Sequence, residues 1–283
     1  MCRLFAQTSP RPASAKDLLV ESDFSLLRQC NADLEHPQED GWGLAWFDAG
    51  GKPHLTKSGR PAPQERERFI RAAENAVSTV VIGHIRAASN PHRDDAHAHP
   101  FEDEGWVFAH NGTLTIHKEV ANALGPRKKR LKTDSDSEVY FQQFLKHLAE
   151  VGDPSQAFEE CIKENWLLWK QCRSSYPEDS TPYTSLNAVA SRGEGFHALC
   201  HSAGSGLARH GVCHPDQPWQ VMSLSTRGER IVLASEGLDG EDWTRLSPPE
   251  TISAVPLRNA VALTRRRLIL AGPLGPIPEV SRT

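Results

Sequence analysis

Strand-forming runs occur in this chain as two separated batches with a helical middle between them, and that order restricts the fold more than any single motif. The first batch holds "CRLFAQT" at the very start, "WGLAWFD" after a glycine-bracketed turn, the β-branched run "STVVIGHIRAAS", and "WVFAHNG", which ends in Asn-Gly turn chemistry. The middle carries "SDSEVYFQQFLKHLAE", read as a helix with Ser135 and Glu138 forming a capping box, and a second helical stretch over 154–172. From about residue 184 short strands return: "SLNAVASR", "FHALCHS", "QVMSLS" and "ERIVLAS", followed by a terminal strand in "AVALTRRRLILAG". Alternating βαβ units would interleave helices with strands throughout. Two strand batches around a helical block predict an α+β sandwich instead.

Composition narrows the function classes. The 283 residues carry a net charge of −4, which gives no electrostatic reason to expect nucleic acid or an anionic membrane. The one basic run, "RKKRLK" at 127–132, lacks the aromatic interleaving of a nucleic-acid surface and reads as a solvated loop beside the active site. No apolar run approaches the roughly 20 residues of a membrane span, and the polar "RPASAKDLLVESDF" lacks the layout of a secretory signal. Six cysteines, at 2, 30, 161, 172, 200 and 213, do not form a disulfide framework in a chain this long, so a reducing cytoplasm is expected. The segments "HRDDAHAHP" and "FHALCHS…RHGVCH" are rich in ligand residues. Neither shows a paired C-x2-C, the cysteine half of the usual zinc sites, so no metal is expected. No Walker A or dinucleotide fingerprint is present, so no cofactor is expected either. Trp166 and Trp169 read as core or interface anchors.

Four short stretches carry chemistry. Cys2 follows the initiator methionine, and excision of Met1 would leave a thiol and a free α-amine on one residue. That amine, with an ordinary pKa of about 7.7–8.0, can take the thiol proton, which makes such a cysteine a nucleophile with a built-in base. "GHIRAAS" places Arg86 at the end of a buried strand, where a guanidinium needs an anion. "AHNGTL" ends a strand in Asn111-Gly112, a carboxamide donor beside an unobstructed backbone N–H, as an oxyanion requires. "SDSE" puts Asp136 in the first turn of a helix, where it can hold an ammonium group. Together they describe a pocket for a molecule with an α-carboxylate, an α-ammonium and an amide carbonyl several atoms away, as in glutamine or a γ-glutamyl amide. Taken singly, Arg86 could equally pair with a structural carboxylate, Asn-Gly could be a plain turn, and Asp136 could serve only its helix.

In combination, "MCR", "DGWG" at 40–43, "GHIR", "HPF" at 99–101, "AHNG" and "SDSE" resemble the class II glutamine amidotransferases, members of the N-terminal-nucleophile hydrolases. "NAVAS" (187–191) and "ASEGLD" (234–239) extend the likeness weakly to about residue 245. Within that group the chain resembles stand-alone proteins, one branch of which hydrolyses γ-glutamyl amides in ergothioneine biosynthesis and glutathione breakdown. The resemblance implies a four-layer αββα sandwich, Cys2 as nucleophile, Asn111 and Gly112 as oxyanion hole, and Arg86 and Asp136 as ligands to the glutamate portion. It also puts Arg3, Trp42 and His110 around the substrate, with Arg3 orienting the active-site loop and Trp42 in a loop that lines or closes the pocket. His99, in "HPF", is a structural or pocket residue.

The chain departs from the family in two places. "TDSDSE" offers both Asp134 and Asp136, of which only Asp136 sits in the family's frame. Ala87-Ala88-Ser89 replaces the Tyr-Ser-Thr that often follows the arginine in purine-type enzymes.

Residues 2–250 are read as one class II glutamine amidotransferase-like domain, with 251–283 a strand and Pro-rich tail of the same domain. The expected activity is hydrolysis of the γ-amide of glutamine or a γ-glutamyl amide through a thioester. The alternatives are an ammonia-donor subunit for a separate acceptor enzyme and a non-catalytic module that binds γ-glutamyl compounds.

Overall fold

A computed structural model describes residues 2–32, 38–88, 92–203, 211 and 213–270. The Pro-rich tail, His210 and Ser89 lie outside the described residues. The first strand batch comprises β1 (Arg3–Ser14), β2 (Trp42–Phe47), β3 (Pro53–Ser58), β4 (Val77–Ile85), β5 (Phe101–Asp103) and β6 (Trp106–Asn111). The second comprises β7 (Asn187–Ser191), β8 (Phe196–Cys200), β9 (Ser223–Arg227), β10 (Arg230–Ala234), β11 (Thr244–Arg245), β12 (Glu250–Pro256) and β13 (Val261–Arg267). Helices α1 (Leu26–Gln29) and α2 (Arg66–Asn75) belong to the first half, and α3 (His117–Ala123), α4 (Asp136–Val151) and α5 (Pro154–Cys172) form the middle.

The strands form two antiparallel sheets. One runs β11-β9-β10-β1-β4-β2-β3 and the other β13-β12-β8-β7-β6-β5. Strand parity sends alternate side chains into different layers. From β1, Leu4 and Ala6 enter a core shared with Ala45, Val80, Ile82, Val107, Ala109 and Val189, which lies between the sheets. Phe5, one residue out of phase, joins Leu19, Leu26, Trp42, Leu44, Phe69 and Val81 under α1 and α2. On the opposite outer face Phe108 packs with Tyr140, Phe141 and Phe144 of α4 and Phe158 of α5. Its ring stacks on Phe141 at 5.0 Å. The layers are therefore helix, sheet, sheet and helix, the αββα arrangement. Because central strands are buried on both faces, they read as continuous apolar runs rather than alternating ones.

Several local expectations are corrected. Ser135 is the N-cap residue of α4 but makes no side-chain capping bond. Glu138 accepts instead from the backbone N–H groups of Lys132 and Thr133 and from the Thr133 hydroxyl, so the capping box is replaced by a clasp on the preceding turn. The basic run is ordered as a 3-10 turn over Gly125–Arg130 rather than an open loop. Arg127 pairs with Glu104, and Arg130 with Asp103, on the β5–β6 hairpin. β12 and β13 are integral to the six-stranded sheet, β12 bonding to β8 on one side and β13 on the other. All six cysteines are free thiols. Among the described residues no helix is long and apolar enough to cross a membrane.

Candidate active site

The register between β1 and β4 builds the first part of the site. Arg3 pairs with Ile85, which sets Cys2 beside the chain leaving β4 at Arg86 and Ala87. The Ala87 N–H donates to Cys2 Sγ at 3.3 Å. From the other sheet, β6 delivers its last residue to the same end: Asn111 Nδ2 donates to the Cys2 carbonyl at 3.0 Å and to Ser235 Oγ at 3.4 Å. A second bond crosses between the sheets where His84 Nε2 meets the His110 carbonyl at 3.1 Å. The site thus lies where two sheet ends converge.

Cys2, Arg86, Ala87, Ala88, His99, His110, Gly112 and Ser135 to Ser137 line one cleft of about 310 Å³, counting its open mouth. Of the residues expected from sequence, Cys2, Arg86, His110, Gly112 and Asp136 therefore meet there. Arg86 Nη1 donates to the carbonyls of Asp40 (3.2 Å) and His92 (2.5 Å). Asp136 sits at the first position of α4, where its charge suits the helix N-terminus, and its Oδ2 accepts from the Leu114 N–H at 2.8 Å. Gly112 has φ +155°, and a Cβ there would lie 2.0 Å from the Ser185 carbonyl oxygen, so only glycine lets the chain turn away after β6. Gly43 serves the other wall: a Cβ on it would lie 2.1 Å from the His99 carbonyl.

Three expected residues do not line the cleft: Trp42, Arg3 and Asn111, whose carboxamide donates to the Cys2 carbonyl and to Ser235. Trp42 pairs with Ile85, shares that strand parity, and is fully buried on the helix side against Phe69, with Nε1 donating to Glu65. The "DGWG" loop contributes through Asp40 instead, whose carboxylate accepts from the Ala88 N–H at 2.7 Å. Arg3 is likewise turned away from the cleft. Its guanidinium forms a buried ion pair with Glu236 at 2.9 Å, and Glu236 also accepts from the N–H groups of Cys213 and His214. Arg3 thereby anchors the first strand to a neighbouring loop, a positioning role. Sequence reasoning missed Asp40, Ser235 and Glu236 as parts of this framework, although all three lie inside quoted motifs.

The histidines of the cleft are committed. His110 Nε2 lies 3.0 Å from the Ser185 carbonyl and so carries the proton, leaving Nδ1 to accept from the Ser137 hydroxyl at 2.9 Å. His99 Nδ1 accepts from the His110 N–H, which puts its proton on Nε2. Both lone pairs are used, so neither ring offers a base to the sulfur. Burial pushes the Cys2 thiol pKa up, with the Ala87 N–H and the Arg86 charge opposing. A thiol with its pKa raised in this way needs a proton acceptor at the moment of attack.

His84 stacks on His99 with centroids 4.1 Å apart. Burial lowers His84 to about 3, pulls His99 well below its usual value, and lowers His110 against the opposing pull of Asp136. Between the folded values and about 6.5, the unfolded chain binds more protons than the folded one, so the stability these neutral rings supply is present above about pH 6.5 and is lost as the pH falls. The melting temperature is expected to decline steadily on acidification from that point, and less steeply in His84→Asn. An identical slope in the variant would assign the acid sensitivity to other groups.

A layered αββα sandwich with a thiol at residue 2, set where the two sheets converge, defines an N-terminal-nucleophile hydrolase fold. The sequence matches the family described as "Glutamine amidotransferases class-II" over residues 1–254, and the chain belongs to that family. It is 27% identical to the probable glutamine amidotransferase DUG3 of Saccharomyces cerevisiae, over 55% of this chain and 48% of that protein. It is 28% identical to a glutamine–fructose-6-phosphate aminotransferase of Sulfurisphaera tokodaii, over 58% of this chain and 26% of that one. The chain thus matches about half of one curated relative and a quarter of the other. A glutamine aminotransferase class-II domain protein from Silicibacter pomeroyi has a similar fold (TM-score 0.64, 21% identity, 94% of this chain and 99% of that one).

Proposed function

We propose that the protein hydrolyses the γ-amide of glutamine or of a γ-glutamyl amide through a γ-glutamyl thioester on Cys2. The observation that carries this reading is the convergence of a thiol, a guanidinium, a glycine N–H and a helix-terminal carboxylate on one cleft: Cys2, Arg86, Gly112 and Asp136. Arg86 binds the α-carboxylate and Asp136 the α-ammonium, which orients the γ-carbonyl toward the sulfur. After removal of Met1, the Cys2 amine takes the thiol proton as the sulfur attacks. The commitment of His99 and His110 to other partners favours that amine as base. Asn111 Nδ2 and the Gly112 N–H hold the oxyanion. The C–N bond then breaks, the amine returns its proton to the leaving nitrogen, and ammonia or an amine departs. Water, activated by the same amine, cleaves the thioester and releases the γ-carboxylate of glutamate.

Intact-mass measurement of the purified protein, with and without a glutamine-derived diazoketone, tests the scheme. The expected mass lacks the initiator methionine and gains a single adduct on Cys2. Retention of Met1 or labelling elsewhere would overturn it. Assays on the same material separate substrates. Glutamate released from γ-glutamyl conjugates but not from glutamine selects the amide-hydrolase branch, whereas ammonia released from glutamine only when an acceptor enzyme is added selects the donor-subunit alternative.

A further inference from the structure

We propose that His92, His97 and Asp134 form a binding site for one divalent transition-metal ion of the zinc class, at the rim of the cleft. The ligating atoms of these three side chains all lie within 4.8 Å of one another. His97 Nε2 is 3.0 Å from one Asp134 oxygen, and His92 Nε2 is 3.5 Å from the other. A tetrahedral ion with ligands at about 2.0–2.1 Å requires ligand-to-ligand separations of about 3.4 Å, and the two observed values bracket that figure. The two imidazole rings stack, with centroids 4.5 Å apart and 9° between planes, so the exposed His92 ring must turn out of the stack to bring its Nε2 lone pair onto an ion held by His97 and Asp134.

A second feature is independent of the three ligands. His97 Nδ1 lies 2.8 Å from the Asp94 carboxylate, and the same Asp94 oxygen accepts the His97 N–H at 3.0 Å. That is the outer-shell arrangement that fixes the tautomer and heading of a metal-bound imidazole. It locks His97, which is buried, with Nε2 directed at Asp134. Two nitrogens and one carboxylate suit a borderline ion such as zinc rather than calcium or magnesium, which prefer all-oxygen sites. A water would take the fourth position.

Sequence spacing shows only the two histidines and not the carboxylate. His92 and His97 belong to the loop after β4, whereas Asp134 lies 37 residues beyond His97, immediately before the N-cap of α4. The fold joins them. Asp134 is also the carboxylate left outside the family's frame when Asp136 takes the substrate role. The His92 carbonyl accepts from Arg86, so an ion here would tie the support of Arg86 to the segment that carries Asp136. If the proposed substrate roles hold, metal loss raises the KM for the amide substrate and leaves kcat nearly unchanged.

The test is binding, measured without turnover. A Cys2→Ala background removes the active-site thiol as a competing ligand. The metal-stripped protein in this background is expected to take up one equivalent of zinc in competition with a chromophoric chelator. It should also show the intense visible absorption of tetrahedral cobalt when cobalt(II) replaces zinc. The double variant His92→Ala/Asp134→Asn, altered at two exposed positions, is expected to lose at least about 100-fold in affinity together with the cobalt spectrum. Asp94→Asn, which touches only the outer shell, is expected to lose about 10–100-fold. Equal zinc affinity in the background and the double variant would overturn the proposal, as would no uptake by the background protein. Because the assay needs no substrate, its failure is distinct from failure of the amide-hydrolysis reading.

Discussion

Cys2→Ala is expected to retain the fold and to lose at least about 10⁴-fold in turnover, since no other group can form the thioester. The cost to stability is small because the side chain removed is compact and only partly buried, and its sulfur accepts one weak N–H contact from Ala87. The strand it begins is held independently: the Leu4 N–H donates to Ser235 Oγ, Arg3 pairs with Glu236, and β1 bonds to both β4 and β10. The measurement is paired. Glutamine or a γ-glutamyl amide is incubated with each protein, and acyl-enzyme is sought by mass spectrometry of rapidly quenched samples. Wild type should show a γ-glutamyl adduct on the N-terminal peptide, and the variant none. Turnover within about tenfold of wild type in the variant would remove the sulfur from the mechanism. A third protein sharpens the argument. Cys2→Ser keeps a nucleophilic atom and the α-amine but has a far less acidic hydroxyl. It should acylate slowly, which separates the role of the sulfur from that of the amine.

How much of this was legible beforehand depends on where each residue stands in the layers. β1, β4, β6 and β7 were readable because burial on both faces forces continuous apolar runs, and α4 and α5 because the helical block is long. β3, β5, β11 and β12 were not read as strands. β3, β5 and β11 each lie at the end of a sheet, are short or half-buried, and have polar sequences ("PHLTKS", "FED", "TR") that satisfy no periodic template. β12 ("ETISAVP") lies inside its sheet, and its alternating Ile252 and Ala254 were passed over. The thiol at residue 2 was legible because it needs no tertiary information, and the four motifs contain Cys2, Arg86, Gly112 and Asp136, which line one cleft. Direction was not legible. Trp42 and Asp40 are two residues apart in one motif, yet Trp42 opens β2 and is buried under the helices, whereas Asp40 precedes the strand and supports Ala88 and Arg86. The partnership of Arg3 with Glu236 joins residues 233 positions apart, and that of Asp134 with His97 spans a strand hairpin and a helix. Spacing carries no record of such contacts.

Asn111→Ala is expected to lower kcat by about 10²–10³ while changing substrate affinity little. In the proposed scheme the carboxamide donates to an oxyanion that exists only after attack, so its loss falls on the transition state rather than on binding. Arg86 and Asp136, which hold the glutamate portion in the proposed scheme, are untouched by the change. One complication has a definite sign. Asn111 Nδ2 also donates to the Cys2 carbonyl, so the variant loosens the residue that bears the nucleophile. Loss of that hydrogen bond accounts for about 1 kcal/mol of stability, a shift of roughly 2–4 °C in melting temperature. A kcat effect confined to misplacement of Cys2 would slow alkylation by a diazoketone and amide hydrolysis by the same factor. A true oxyanion role would slow hydrolysis by far more than simple thiol alkylation by a small reagent such as iodoacetamide, which passes through no tetrahedral oxyanion. The two rates therefore divide positioning from stabilisation. If they fall together in Asn111→Ala, the carboxamide only places the thiol, and the oxyanion is left to the Gly112 N–H.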